Sequence, residues 1–361
     1  MKIGILGLEK SGKTTIFNAL TRMDVATGEF PSSKNEPNIA VVQVSDPRMT
    51  QLRDMYRPKK TTHATLECMD FGGICTDNGG GRKEVFTASE IALMKNTDAL
   101  ALVVRNFHDP IIDATRGEPD PLSDLSSIVS ELILSDLILT ETRLERIEDQ
   151  ARRGIKHAVI DVEKNALTKI NAFLDAGDTT AHPSLSPDEA RAIRTLKFLS
   201  LKPMLIVLNS DEDTFGRNSE LISRIMKRST CIEFAGKFEM ELSRLEENEA
   251  RDFMDDMGIS ASARDRLTMA LYRLLGYISF FTVGPDEVRA WTINRGESAV
   301  DAAAVIHSDI ARGFIRAECF SYDDLIGHGS EKALKEKGLI RLEGKTYLVR
   351  DGDILNIRFS V

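Results

Sequence analysis

The stretch Gly7-Leu8-Glu9-Lys10-Ser11-Gly12-Lys13-Thr14 decides the fold: it fits G-x-x-x-x-G-K-[ST], follows the apolar run Lys2–Leu6 and precedes the helical run Thr15–Leu20. A strand that ends in such a loop and reopens as a helix offers backbone N–H groups and a helix N-terminus to phosphates. Lys13 is expected to reach the β- and γ-oxygens, and the Thr14 hydroxyl to ligate Mg²⁺. Gly7, Lys10, Ser11, Gly12, Lys13, Thr14 and Thr15 are the expected phosphate-side contacts. The loop alone leaves GTPases, ATPases and small-molecule kinases open.

Outward from the loop, short β-rich runs recur at Thr65–Met69, Ala99–Val104, Met204–Leu208 and Cys231–Phe234, with helical patterns such as Lys13–Arg22 and Ser219–Lys227 between them. Alternation of this kind predicts an α/β fold, a doubly wound and mostly parallel sheet whose ligand sits at the carboxyl ends of the strands. Asp70 follows one such strand and opens Asp70-Phe71-Gly72-Gly73, a D-x-x-G arrangement. Asp70 is expected to hold Mg²⁺, usually through water, and Gly73 to offer its N–H to a γ-phosphate. Lys13, Asp70 and Gly73 are thus the candidate catalytic groups, and Thr14 and Asp70 the candidate metal ligands. A switch signature of this kind disfavours a small-molecule kinase.

After Met204–Leu208 comes Asn209-Ser210-Asp211-Glu212, where a GTPase shows N-K-x-D. The Asp of that motif accepts from guanine's ring and exocyclic N–H groups. With the longer Glu212 in its place, and Ser210 replacing the Lys that covers the base, guanine selectivity is expected to be lost or weakened. Asn209 remains a candidate for the purine edge, since Asn pairs well with adenine's donor and acceptor. Phe234-Ala235-Gly236-Lys237 is a further base-side candidate through the backbone of Ala235 and Gly236.

The 361 residues carry a net charge of −9, which argues against indiscriminate coating of nucleic acid, and no DNA partner is expected. No apolar run approaches the roughly 20 residues that cross a bilayer, and the opening MKIGILGLEK reaches Gly and charge too early for a signal segment. The expectation is a cytoplasmic protein without a membrane partner. Cys68, Cys75, Cys231 and Cys319 lie far apart without a CxxC pair and read as reduced core thiols.

Between about Pro121 and Leu199 the rhythm breaks. Ile133, Leu137, Thr140, Leu144, Ile147 and Ala151 step by four and three, and Ile155, Val159, Val162 and Ala166 repeat the pattern after Gly154. An antiparallel coiled-coil hairpin fits, as do two ordinary amphipathic helices lying on the nucleotide domain. From Phe280 the pattern turns to short strands at Arg289–Ile293, Phe314–Phe320, Thr346–Val349 and Ile354–Ser360. The expected domains are a nucleotide domain in two parts (1–122 and 200–279), a helical insertion (123–199) and a small α+β domain (280–361).

Asn209-x-x-Glu212 is similar to the altered base motif of the YchF-type Obg-like ATPases, and the resemblance spans nearly the whole chain. It includes Asn35-Glu36-Pro37-Asn38, Asp46-Pro47-Arg48, Val103-Val104-Arg105, Ser130 to Asp136 and Arg143-Leu144-Glu145-Arg146. It is strongest at the end, in Phe280-Phe-Thr-Val-Gly-Pro285, Trp291, Gly313 to Glu318 and Tyr347 to Asp353, which look like the family's C-terminal TGS domain, a β-grasp module. The resemblance implies a coiled-coil insertion, slow Mg²⁺-dependent hydrolysis of ATP with GTP weaker, and association with ribosomes or RNA through the insertion and the TGS domain. Nucleotide binding without meaningful hydrolysis, and a GTP-preferring enzyme, stay open as alternatives.

Ile74 stands where Ras-like enzymes carry a water-orienting glutamine, a position at which the family likewise has a hydrophobic residue, and an Ile cannot align water by hydrogen bonding. Three departures from the family pattern concern activity. Lys10 replaces an Asn that in related enzymes helps hold a potassium ion, and its ammonium is expected to stand in for that cation. Pro31-Ser-Ser-Lys34 lacks the switch Thr, and Asn78-Gly-Gly-Gly81-Arg82 does not keep the family's string. His63, His108, His157 and His182 read as surface or packing residues, and Phe280, Phe281 and Trp291 as core.

Overall fold

The computed structural model describes residues 1–23, 25, 37–74, 86–153, 158–177, 183–227, 229–256, 258–259 and 261–360. The strands are β1 (Lys2–Gly7), β2 (Asn38–Gln43), β3 (Lys60–Thr62), β4 (Thr65–Asp70), β5 (Ala99–Asn106), β6 (Met204–Ser210), β7 (Thr230–Phe234), β8 (Tyr277–Thr282), β9 (Glu287–Asn294), β10 (Phe314–Ser321), β11 (Arg341–Glu343) and β12 (Asp353–Phe359). They form two sheets, ordered β2-β4-β1-β5-β6-β7 and β11-β10-β12-β8-β9-β3. The chain divides into two compact units, residues 2–40 with 68–263, and Met1 with 41–67 and 264–361.

In the first unit β1, β5, β6 and β7 run parallel. Apolar runs such as Ala99–Val104 are buried throughout, as strands covered on both faces must be. Leu6, Met69, Leu102 and Leu208 join Ile128 and Leu132 of the helix Pro121–Arg152 in one core. That helix starts at Asp120, whose side chain caps Ser123 N, and it continues without interruption past the boundary expected at 123. Its first half therefore completes the nucleotide core, while its second half packs through Ile147 on Ala166, Leu167 and Ile170 of helix Ala158–Asp175. Ile133, Leu137 and Leu144 line this second core as their spacing predicts, whereas Ala151 is exposed. Arg143 clamps the two helices with a bidentate pair to the buried Glu163, at 2.7 and 3.0 Å. Asp136 is buried and accepts from Leu199 N, Ser200 N and the Ser200 hydroxyl, tying the helix to the chain that re-enters the sheet.

The second unit holds a mixed sheet. Antiparallel β8 and β9 lead through helix Ala299–Ile306 to β10, and β12 lies between β10 and β8, antiparallel to the former and parallel to the latter. That is the β-grasp arrangement. Phe280 and Phe281 are fully buried, and Phe280 stacks on Trp291 with ring centroids 6.3 Å apart. Trp291 is half-buried beneath the Arg289 guanidinium. The run Thr346–Val349 is not a ladder strand, as its composition suggested. Its backbone is used by the start of the helix instead, with Ala299 N donating to Tyr347 O and Val349 N to Glu297 O, and β11 forms earlier at Arg341–Glu343.

Residues 41–67 belong to this second unit although they were expected within the first domain. β3 adds to the edge of β9 in parallel, and Arg48 bridges Asp46 and Asp351 while lying 5.0 Å from the Phe281 ring centroid. The Tyr56 hydroxyl donates to Glu331, and the Tyr322 hydroxyl to Gln51. The unit also reaches back to helix Ala263–Leu275, where the Tyr272 and Thr292 hydroxyls share a hydrogen bond. Cys68, Cys231 and Cys319 are buried, and burial pushes the Cys231 and Cys319 thiols up to about 12 and about 11.

Candidate functional site

Parallel register carries Gly7, Arg105, Asn209 and Phe234 to the carboxyl ends of the strands, and Asp70 ends β4 beside β1. Gly7 pairs with Val103, Arg105 with Asn209, and Asn209 with Phe234. The loops leaving these strand ends therefore converge, which is where a doubly wound sheet binds its ligand.

The phosphate cradle is built on two residues with left-handed backbone, Lys10 at φ 62° and Gly12 at φ 85°. Gly12 admits no side chain, because a Cβ there would meet Asn209 Nδ2 at 2.2 Å. Helix Lys13–Thr21 starts directly after it and aims its unpaired N–H groups back over the loop. Ser11 is buried with its hydroxyl unpartnered among the described residues. Lys13 Nζ lies at Gly73, 3.1 Å from where a Cβ would stand, so the two expected γ-phosphate contacts face one another.

The Thr14 hydroxyl donates to Asp70 Oδ2 at 3.0 Å, and Asp70 Oδ1 is buried with no partner among the described residues. Burial holds the Asp70 carboxyl above its usual range, while Lys13, the Thr14 hydroxyl and the Asn38 side chain oppose that rise. A hydroxyl and a carboxylate converging, with one buried oxygen left over, is a donor set that fits Mg²⁺. Ile74 turns into the core, and its backbone bonds to Gly7 O and Glu9 N, so its side chain is removed from the phosphate side.

On the base side the structure gives Asn209 a second role. The buried Asn209 makes one bond at each end of its amide to protein, Nδ2 donating to Ser11 O and Oδ1 accepting from Gly236 N, each at 3.0 Å, and its NH2 has a second N–H to offer a base. It is a brace between the phosphate loop and the loop at Ala235 and Gly236. Glu212 lies on an exposed turn. Ser210, which replaces the motif's Lys, turns its hydroxyl to Glu233 Oε1 at 2.6 Å and accepts from Asn106. Glu233 in turn accepts from Gly216 N and Asn218, and so fixes the turn that carries Glu212. The sequence offered no signal for Glu233, which acts across strands, and marked Asn38 only as part of the string Asn35-Glu36-Pro37-Asn38. The switch segments Pro31–Lys34 and Asn78–Arg82, with Cys75, His157 and His182, lie outside the described residues. His108 is on the surface beside Asp113.

The sheet order, the loop and the Thr14–Asp70 pair define a P-loop nucleotide-binding protein of the GTPase class. The 50S ribosome-binding GTPase family matches residues 2–210, and the YchF-GTPase C-terminal family, described only as a protein of unknown function, matches residues 277–360. A protein of Haemophilus ducreyi named ribosome-binding ATPase YchF is 37% identical, covering 100% of this chain and 99% of its own length. One of Bacillus subtilis with the same name is 36% identical over 99% of each. The structure of the Schizosaccharomyces pombe YchF GTPase superposes with a TM-score of 0.82 at 29% identity, covering 99% of this chain and 97% of that one. The chain belongs to the YchF family.

Proposed function

We propose that the protein is a slow Mg²⁺-dependent ATPase that prefers ATP to GTP and works as a nucleotide-driven switch in association with ribosomes. The observation that carries the reading is the Thr14–Asp70 pair, with its leftover buried oxygen, directly beside Lys13 and Gly73. Thr14 and Asp70 would hold Mg²⁺, which when bound neutralises charge on the phosphate oxygens. Lys13 stabilises negative charge on the transferring phosphoryl group, Gly73 N–H fixes its orientation, and water is the nucleophile.

Preference for ATP is supported by the absence of the Lys and Asp that recognise guanine. Asn209, Glu212 and the backbone of Ala235 would read the base, while the Gly236 N–H, expected at the base, is held by Asn209 Oδ1 instead. The ribosome as partner is supported by the names of the relatives, ribosome-binding ATPases, and the helical hairpin and the β-grasp unit would be its contact surfaces. Single-turnover hydrolysis of ATP with and without Mg²⁺ tests the reading: metal-dependent release of phosphate supports it, and none refutes it. A second reading, an ATP-binding switch without hydrolysis, is favoured by Ile74, which is buried in the core and cannot orient water. The same assay separates the two.

A further inference from the structure

Helix Pro110–Arg116 leaves β5 and returns to the phosphate loop, where the Arg116 guanidinium donates to the Glu9 backbone carbonyl. Its position is enforced from below. The buried Arg105 at the end of β5 donates to Asp113 Oδ1 at 2.8 Å and to the Gly117 carbonyl, which pins both the middle and the end of this helix. Gly117 takes φ 80°, so the chain turns away immediately after Arg116. Asp124 on the next helix faces both arginines.

Glu9 marks the γ-phosphate end of the cradle. Its Cα and Cγ lie 3.0 and 2.7 Å from where a Gly73 Cβ would stand, and Lys13 Nζ lies 3.1 Å from the same point. The Arg116 guanidinium is therefore held on the loop residue that neighbours both Gly73 and Lys13. Its planar fork of donors suits a carbonyl and phosphate oxygens held together.

We infer that Arg116 is a γ-phosphate contact supplied by the chain itself, positioned by Arg105, and that it provides stabilisation which Ile74 cannot. The inference rests on the nucleotide-binding reading above. Charge at this point grows as the phosphoryl group transfers, so Arg116 acts more strongly on hydrolysis than on binding.

The test compares the full-length protein with Arg116→Ala and Arg116→Lys. Calorimetry with ADP and with a non-hydrolysable ATP analogue in Mg²⁺ is paired with thermal melting and single-turnover hydrolysis. The expected result is that Arg116→Ala lowers the ratio of analogue to ADP affinity by at least about tenfold and slows hydrolysis by about a hundredfold or more. ADP affinity should hold within about threefold, and Arg116→Lys should recover part of the ratio. A ratio within about twofold of the parent overturns the inference. So does an equal loss of both affinities together with a lower melting temperature, since that marks a brace for the loop. A parent protein that binds the analogue without hydrolysing it overturns only the ATPase reading, and the affinity ratio still decides for or against Arg116. A parent that binds neither nucleotide overturns both.

Discussion

Replacing Asn209 by Ala removes the amide that joins the phosphate loop to the loop at Gly236. Two backbone groups, Ser11 C=O and Gly236 N–H, lose partners held at 3.0 Å in a buried setting. Each stranded buried group costs about 1–3 kcal/mol, so the pair costs about 2–6 kcal/mol, with a central value near 4. For a unit of this size that is a fall of roughly 8–16 °C in melting temperature. Asn209→Asp is expected to be at least as damaging, because a carboxylate oxygen then opposes the Ser11 carbonyl. The assay is thermal unfolding in nucleotide-free buffer, followed by titration with ATP and GTP analogues. Because Asn209 acts on the loops, affinity for both nucleotides should fall together. An Ala variant that melts within about 1 °C of the parent, or that loses only one nucleotide, would refute the brace.

Asp70→Asn tests the metal pair and its pH linkage. Burial raises the folded-state pKa of Asp70, so the stability this group contributes is present below the ordinary carboxylate range and is lost as pH rises through the folded value. The Asn variant should therefore melt above the parent in EDTA at neutral pH while its nucleotide binding no longer responds to Mg²⁺, and a lower melting temperature would contradict this. Arg143→Ala should weaken the helical hairpin by about 1–2 kcal/mol, discounted because the guanidinium is one-third exposed, and a double-mutant cycle with Glu163→Gln reads the coupling. Exchanging sodium for potassium should leave turnover unchanged in the parent if the Lys10 ammonium stands in for that cation, and a several-fold rise would sink that role.

The strand-turn-helix that carries the loop Gly7–Thr14 was legible because its signal is local: glycines, a lysine and a hydroxyl between an apolar strand and a helix. The parallel strands read nearly to their ends for a similar reason, since burial on both faces leaves an apolar run with little ambiguity. What escaped was set by long-range partners. Asn209 looked like a purine contact because its place in the order is that of a base reader, and its second role, as a brace between Ser11 O and Gly236 N, depends on partners far away in sequence. Residues 41–67 looked like part of the nucleotide domain, and long-range contacts such as the ladder of β3 on β9, the Arg48–Asp351 pair and the Tyr56–Glu331 hydrogen bond assign them elsewhere. Thr346–Val349 has strand composition, but its hydrogen bonds go to the helix start. Arg116 carries no motif, and its meaning depends on Arg105 folding the helix Pro110–Arg116 back on Glu9.

The most direct test of the account is a calorimetric titration of the protein with non-hydrolysable ATP and GTP analogues in Mg²⁺, alongside Lys13→Ala. The account expects ATP to bind at least about tenfold more tightly, about 1.4 kcal/mol, and binding to vanish in the variant. GTP binding as tightly as ATP, or no binding of either, would contradict it.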